Sequence, residues 1–204
     1  KTLVLGTANA GGYLPEHWLD TVKSAIKAGM NVASGLHHRL VDGPELVTLA
    51  ETFGVALFDL RHMRPKLSVG SGKKRSGKRI LTVGTDCSVG KMYTSLALEA
   101  AVRARGMKAD FRATGQTGIL VAGEGIAVDA VIADFIAGAA EALSPANDDD
   151  HWDIVEGQGS LFHPSYAGVS MGLMHGAQPH WLVMCHEMGR PHMRHLPHQP
   201  MVSL

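Results

Sequence analysis

The clearest chemistry in this chain lies in Gly84-Thr85-Asp86-Cys87-Ser88-Val89-Gly90-Lys91. An apolar run at 80–83 leads into it, and an amphipathic stretch from Lys91 to about Arg105 follows. A strand that ends in a glycine-bearing loop and opens a helix can wrap backbone N–H groups around phosphate. Gly90 lets the backbone approach closely, the helix N-terminus offers partial positive charge, and Lys91 adds a full one. The segment predicts binding of a nucleotide-like, phosphate-bearing ligand.

Two departures from the usual phosphate-loop pattern qualify that chemistry. Thr85 stands where a glycine usually precedes the Gly-Lys pair, and Gly84 comes one residue earlier. In this the loop resembles that of dethiobiotin synthetases and their ATP-binding relatives, which carry a similar Gly-Thr-Asp run. Met92 follows Lys91 where a Ser or Thr hydroxyl would normally hold Mg²⁺. A thioether is no ligand for a hard cation, and Thr94 is not expected to replace it. The loop is suited to hold phosphates, whereas ATP–Mg turnover is expected only under an alternative reading.

Further polar groups fall at the ends of other apolar runs. Glu156 follows Asp153-Ile154-Val155 and precedes Gly157-Gln158-Gly159-Ser160, so a strand delivers it to its carboxyl end beside exposed backbone. It could bind a metal, act as a general base, or serve as a structural acid; Gln158 could orient a substrate. Gln116 and Thr117, in Ala113-Thr114-Gly115-Gln116-Thr117-Gly118, suit hydrogen bonding to a polar ligand, with a plain glycine-rich turn as the other reading. Cys185-His186-Glu187-Met188-Gly189-Arg190 ends the last strand. There Arg190 is a candidate for a carboxylate, and His186 or Glu187 for moving a proton. His192, His195 and His198 recur every three residues, but Pro191, Pro197 and Pro200 forbid a regular helix, so a mobile loop is expected rather than a metal site. Cys87 is expected to fill the tight loop rather than carry an acyl group.

The elements needed to position these groups are legible as alternating strands and helices. Strands are expected at 2–5, 31–33 and 55–59, with helices from Pro15 to about Ala28 and from Pro44 to about Phe53, closed by Gly29 and Gly54. That pattern predicts the rear part of a Rossmann-like domain over residues 1–60. Residues 61–79 are strongly basic: Arg61, Arg64, Lys66, Lys73, Lys74, Arg75, Lys78 and Arg79 lie there with no acid among them. They form either a solvated linker or a rim that meets ligand phosphates. A second unit over 80–204 has strands at 80–83, 108–112, 152–155 and 181–185, a long helix over 129–143 and a shorter one over 168–175. Asp129 is expected to stabilise the first turn of the long helix, while Asp134 could point inward. In open parallel sheets ligands bind at the carboxyl edge of the strands, where all the groups above are expected to meet.

Composition narrows the field. The 204 residues carry 19 Lys+Arg against 19 Asp+Glu, which predicts no general affinity for nucleic acid or anionic membranes. Two distant cysteines make no disulfide framework, and no signal peptide or membrane-spanning apolar run is evident, so a reduced, cytoplasmic setting is expected. The chain opens directly on an apolar strand without an initiator Met and stops after a Pro- and His-rich stretch. A longer protein, incomplete here at the C-terminal side of its second domain, is expected.

Taken together, the runs 84–92, 113–118, 155–161 and 185–187 resemble the DgcN-like family, long labelled as of unknown function. It pairs a Rossmann-like N-terminal domain with a P-loop C-terminal domain, and its characterised member is a D-glutamate N-acetyltransferase that uses acetyl-coenzyme A. The resemblance covers essentially the whole chain. It implies an acetyl-CoA-dependent N-acetyltransferase acting on an acidic amino acid, with D-glutamate the first expectation and small molecules as its partners. A non-hydroxyl residue at the position of Met92 is ordinary in that family and fits a loop, Gly84 through Met92, that cradles the pyrophosphate of coenzyme A without phosphoryl transfer. On this view Glu156 is the first choice as base, with Glu187 or His186 second. Gln116, Thr117, Gln158 and Arg190 would hold substrate, and Arg190 or the stretch 73–75 would meet a carboxylate or the 3′-phosphate. No metal is expected, and a symmetric oligomer is. Two alternatives stand beside it: an ATP-dependent ligase or kinase of the dethiobiotin synthetase type, and a non-catalytic nucleotide-binding sensor.

Overall fold

Strand–helix alternation produces two parallel sheets among the described residues of the computed structural model, which are 1–6, 9, 11–62 and 66–203. Arg64, counted above in the basic stretch, lies outside them. The first sheet has the order β1 (Thr2–Leu5), β2 (Asn31–Ser34), β3 (Leu57–Asp59), all parallel. Helices α1 (Glu16–Lys27) and α2 (Pro44–Phe53) make the crossovers. Pro44 starts α2 with its fixed φ, and Gly54 ends it at φ 64°, a left-handed geometry that glycine adopts freely. Val22 and Ile26 of α1 pack with Val32, Leu36, Leu40 and Leu46 into the core of this domain. Asp59, at the end of β3, accepts the N–H groups of Leu40 (2.7 Å) and Val41 (3.3 Å) and so fixes the segment that leaves β2.

The second sheet has the order β5 (Ala109–Arg112), β6 (Trp152–Val155), β4 (Lys78–Gly84), β7 (Trp181–Cys185), again all parallel. From β4 the chain passes through α3 (Lys91–Ala104) to β5, returns to β6 between them, and crosses to β7 on the other side. The strand that carries the phosphate loop is therefore central, flanked by the strand that delivers Glu156. The helices α4 (Gln116–Ala122), α5 (Ile136–Leu143) and α6 (Ala167–Ala177) complete the unit. Its core joins Leu81 and Val155 of the sheet to Ile136, Ala139, Ala140 and Leu173 of α5 and α6.

The fold corrects three expectations. The long helix over 129–143 is broken into short 3₁₀ turns at Val128–Ala130 and Ala133–Phe135 and the two-turn α5. Val131 and Ile132 between them are extended, at ψ 139° and 137°. The preceding backbone is pulled against the end of β5 by hydrogen bonds from Ile126 and Val128 to Ala113 and Thr114, and Asp134 is exposed rather than inward. The stretch expected as a mobile histidine loop is an antiparallel hairpin, β8 (His192–Met193) with β9 (Leu196–Pro200). Finally, Arg75 and Arg79 do not face a ligand. Arg75 donates to Ser144 O and Gly176 O, and Arg79, 1% exposed, to Ser144 Oγ, Ser76 O and Pro145 O. Both satisfy backbone carbonyls, some at the ends of α5 and α6. They sit at the amino edge of β4, about 20 Å from its loop at ~3.3 Å per residue.

Candidate functional site

A cavity of about 840 Å³ lies where the carboxyl edges of the two sheets face each other. Gly12, Leu36, His37 and Arg61 wall it on one side, Cys87, Ser88, Gly90, Lys91 and Met92 on the other, with Gln116, Thr117, Glu156 and Gln158 between. The sequence places these groups together because each follows a parallel strand, and parallel strands end on one edge.

The phosphate loop turns sharply into α3. Ser88 has φ 55° and Gly90 φ 93°, so two left-handed residues bend the chain immediately before the helix. Lys91 is buried; its Nζ lies 2.8 Å from Asp86 O, and burial pulls its pKa below the ordinary lysine range, with the nearby thiols and carboxylates opposing. Thr82 Oγ1 accepts the N–H of Gly157 (2.9 Å), binding the end of β6 to β4 just beneath the loop. Burial pushes the Cys87 thiol up, away from thiolate chemistry.

Glu156 is the most perturbed acid of the site. Its side chain is 3% exposed, and burial raises its pKa to about 7. Hydrogen bonds from Thr114 N (2.9 Å) and Gly115 N (3.1 Å) to one carboxylate oxygen, and from Gln158 Nε2 (3.2 Å) to the other, oppose that rise, while the charge of Asp129 adds to it. Thr114 Oγ1 donates to Glu156 O (2.7 Å), which locks the two strand ends together. The result is an acid held in one orientation, ionising near neutral pH, in the wall of a large cavity.

Other candidates are drawn away from the cavity. Arg190 does not face it: the guanidinium donates to Asp86 Oδ2 (3.0 Å), Cys87 O (2.8 Å) and Ser88 O (2.8 Å) and pairs with Glu187. His186 Nδ1 is 3.0 Å from Thr85 Oγ1, on the outer side of the loop. Thr85 and Asp86 are themselves fully buried. Asp86 also accepts the N–H groups of Cys87 (2.6 Å) and Arg194 (2.6 Å). Although burial alone would raise its pKa, the bonds from Arg194, Cys87 and Arg190 hold it below the usual aspartate range. His186, Glu187, Arg190, Thr85 and Asp86 thus brace the loop from behind, because they lie on the side of β4 that faces β7 and the hairpin.

Several lining residues had no distinguishing sequence pattern. Arg61 stands in the basic stretch and Asp129 in the expected helix, yet the two pair across the cavity, with His37 Nε2 4.0 Å from the same Asp129 oxygen. Burial, then Arg61, lowers the pKa of His37 against the pull of Asp129. Tyr93, Tyr166, Arg194 and His195 also line the cavity. The glycine pair Gly11-Gly12 before the first helix was the available sign that the first domain contributes a ligand edge. Among the described residues, the His/Cys/Asp/Glu grouping close enough to share a metal is Asp110, His151 and Asp153. It lies toward the amino ends of β5 and β6, and Arg112 bridges it through Asp153 (2.8 Å) and Asp110 (3.2 Å). No helix among the described residues is long and apolar enough to cross a membrane.

Comparison with known proteins places this geometry in context. Residues 68–204 match the model described as a domain of unknown function, DUF1611_C, P-loop domain, and residues 1–63 match DUF1611_N, Rossmann-like domain. A protein of Pseudoalteromonas sp. named D-glutamate N-acetyltransferase is 57% identical over the whole of this chain, and one of Tritonibacter scottomollicae with the same name is 56% identical. The chain spans 61% of the length of each of these relatives. The crystal structure of a DUF1611 family protein from Anabaena variabilis superposes with a TM-score of 0.91 at 40% identity, over 99% of this chain and 59% of that one.

Proposed function

This chain belongs to the DUF1611 family, and on that premise we propose that it is the greater part of an N-acetyltransferase that moves an acetyl group from acetyl-CoA to the amino group of an acidic amino acid, D-glutamate first among them. The observation that carries the reading is that Glu156, with a pKa of about 7, and Lys91 of the phosphate loop line one cavity. The relatives named for this activity support the choice of substrates.

The residues present fit coenzyme A. Backbone N–H groups of the loop, the N-terminus of α3 and Lys91 would hold its pyrophosphate. Met92 leaves the loop without the hydroxyl ligand that Mg²⁺ needs in phosphoryl transfer, and acyl transfer needs none. Acetyl-CoA supplies the activated acyl group when bound. Glu156, ionised, would take a proton from the ammonium of the acceptor and leave the free amine to attack the thioester carbon, the C–S bond breaking as the C–N bond forms and the amine's second proton passing to the leaving thiolate. Its pKa near neutrality suits this role, because a weaker base would not accept the proton and a stronger one would already be protonated. Gln158, hydrogen-bonded to Glu156, keeps the carboxylate turned toward the acceptor, and Gln116 and Thr117 offer polar contacts beside it. A reduced cytoplasmic setting and a symmetric oligomer belong to the same reading.

Calorimetric titration of the full-length protein with acetyl-CoA, and in parallel with ATP plus Mg²⁺, tests this proposal. Binding of acetyl-CoA that disappears in Lys91→Ala, with no ATP signal, is expected. Binding of ATP–Mg²⁺ alone would instead favour the ligase or kinase, for which Glu156, beside the loop-bearing strand, would be the metal-facing acid.

A further inference from the structure

We infer that Arg61, on the Rossmann-like side of the cavity, is the receptor for a carboxylate of the acceptor substrate, and that Asp129 positions it. The inference rests on the acetyltransferase reading and adds to it the residue that selects a dicarboxylic acceptor.

Arg61 is 6% exposed yet lines the cavity. Its guanidinium is fixed on two sides: Nε donates to Gly35 O at 2.5 Å, and Nη1 pairs with Asp129. Among the described residues Nη2 has no hydrogen-bond partner, so the guanidinium keeps donors for a further anion while its orientation is already set. Such preorganisation is what bidentate carboxylate recognition requires. The arginine that the sequence offered for this task, Arg190, has its donors committed to the phosphate loop and Glu187.

Position agrees with the task. Gly35, which accepts from Arg61, lies so close to Gln116 that a Cβ there would sit 2.7 Å from Gln116 Cγ. Gln116 begins α4, and two residues on, Gly118 packs against Glu156. Arg61 and Glu156 therefore flank Gln116, an arrangement that offers one end of a short amino acid a cation and its amine a base. With Lys91 given to the pyrophosphate of coenzyme A, Arg61 and Arg194 are the arginines of the cavity lining left for the carboxylates of an acceptor.

The test uses glutarate, a dicarboxylate with no amine, titrated calorimetrically into the full-length protein and its variants. Arg61→Gln is expected to weaken glutarate about 30-fold or more while acetyl-CoA affinity holds. Asp129→Asn keeps an oxygen that accepts from Arg61 while removing the competing charge, and is expected to bind glutarate at least as tightly as wild type, even where its melting temperature drops. No glutarate binding by the wild type would overturn the inference. So would unchanged binding in Arg61→Gln, or equal loss in both variants, which marks the pair as an interdomain latch alone. The two readings fail separately. Arg61-dependent glutarate binding without acetyl transfer would sink the reaction and keep the receptor. Acetyl transfer with a D-glutamate KM indifferent to Arg61→Gln would do the reverse.

Discussion

Gly118 has no room for a side chain because Glu156 lies against it: a Cβ there would sit 2.3 Å from Glu156 Oε2. The helix that opens at Gln116 and the acid that ends β6 are thereby one unit. Gly118→Ala must push the carboxylate off its Thr114 and Gly115 N–H donors or shift α4, and is expected to cost about 1–3 kcal/mol. A lower melting temperature together with a fall in kcat larger than any change in KM checks this. An alanine variant with wild-type kcat would mean that the orientation of Glu156 is irrelevant to turnover.

Glu156 also sets a pH dependence of stability. Its folded pKa, about 7, lies above the ordinary 4.5. The stability tied to its protonated form is fully present below 4.5 and is lost as pH rises through about 7. At pH 8.5 an ionised Glu156 costs the fold roughly 3 kcal/mol. Glu156→Gln should therefore melt higher than wild type at pH 8.5, with the gap shrinking toward pH 4.5. Thermal melts across that range decide the matter, and a gap that grows on acidification would contradict the assignment.

Asp86 makes the opposite prediction. Its depressed pKa means that its stabilising contribution is present above the usual aspartate value and is lost as pH falls through the lower folded one. Asp86→Ala takes one acceptor from the half-buried Arg190, which keeps Glu187 and the Cys87 and Ser88 carbonyls, and leaves the N–H groups of Cys87 and Arg194 without their acceptor, a costly loss for part-buried donors. Loss of amide-exchange protection in the phosphate loop and in the 192–200 hairpin, together with a destabilisation of about 2–4 kcal/mol, is expected. Protection retained in the hairpin would show that Asp86 is not what fastens it.

Why some of this was readable in the sequence and some not has physical reasons. Strands such as Trp152–Val155 and Trp181–Cys185 are short apolar runs bounded by turn residues, and they occur where the pattern predicts them. The family, the parallel α/β architecture and the phosphate loop were equally legible, because loop, strand and helix must be contiguous for the loop to work. Glu156 was legible as the residue after a buried strand. Arg190 was not: its role depends on Asp86, 104 residues away, which only the fold brings within reach. The broken helix before α5 misled because Ala-rich sequence favours helix while the backbone bonds of Ile126 and Val128 to the end of β5 hold the chain extended. Arg61 and Asp129 were invisible as a pair for the same reason, since 68 residues and two domains separate them.

Lys91 carries a consequence for ligand affinity. Burial lowers its pKa, so its charge is lost at a lower pH than that of an exposed lysine. Affinity for coenzyme A is expected to weaken on the alkaline side before exposed lysines titrate, and Lys91→Arg, which keeps its charge, is expected to flatten that fall even if it binds more weakly at neutral pH. Calorimetry from pH 7 to 10 checks both.

The most direct measurement of the central claim is the pH profile of free-thiol release when the full-length protein is given acetyl-CoA and D-glutamate. The account predicts D-glutamate-dependent release whose rate climbs through about pH 7 as Glu156 ionises, with that limb and at least about 100-fold of the rate gone in Glu156→Gln. Thiol release that ignores D-glutamate, or a profile and rate unchanged in Glu156→Gln, would contradict it.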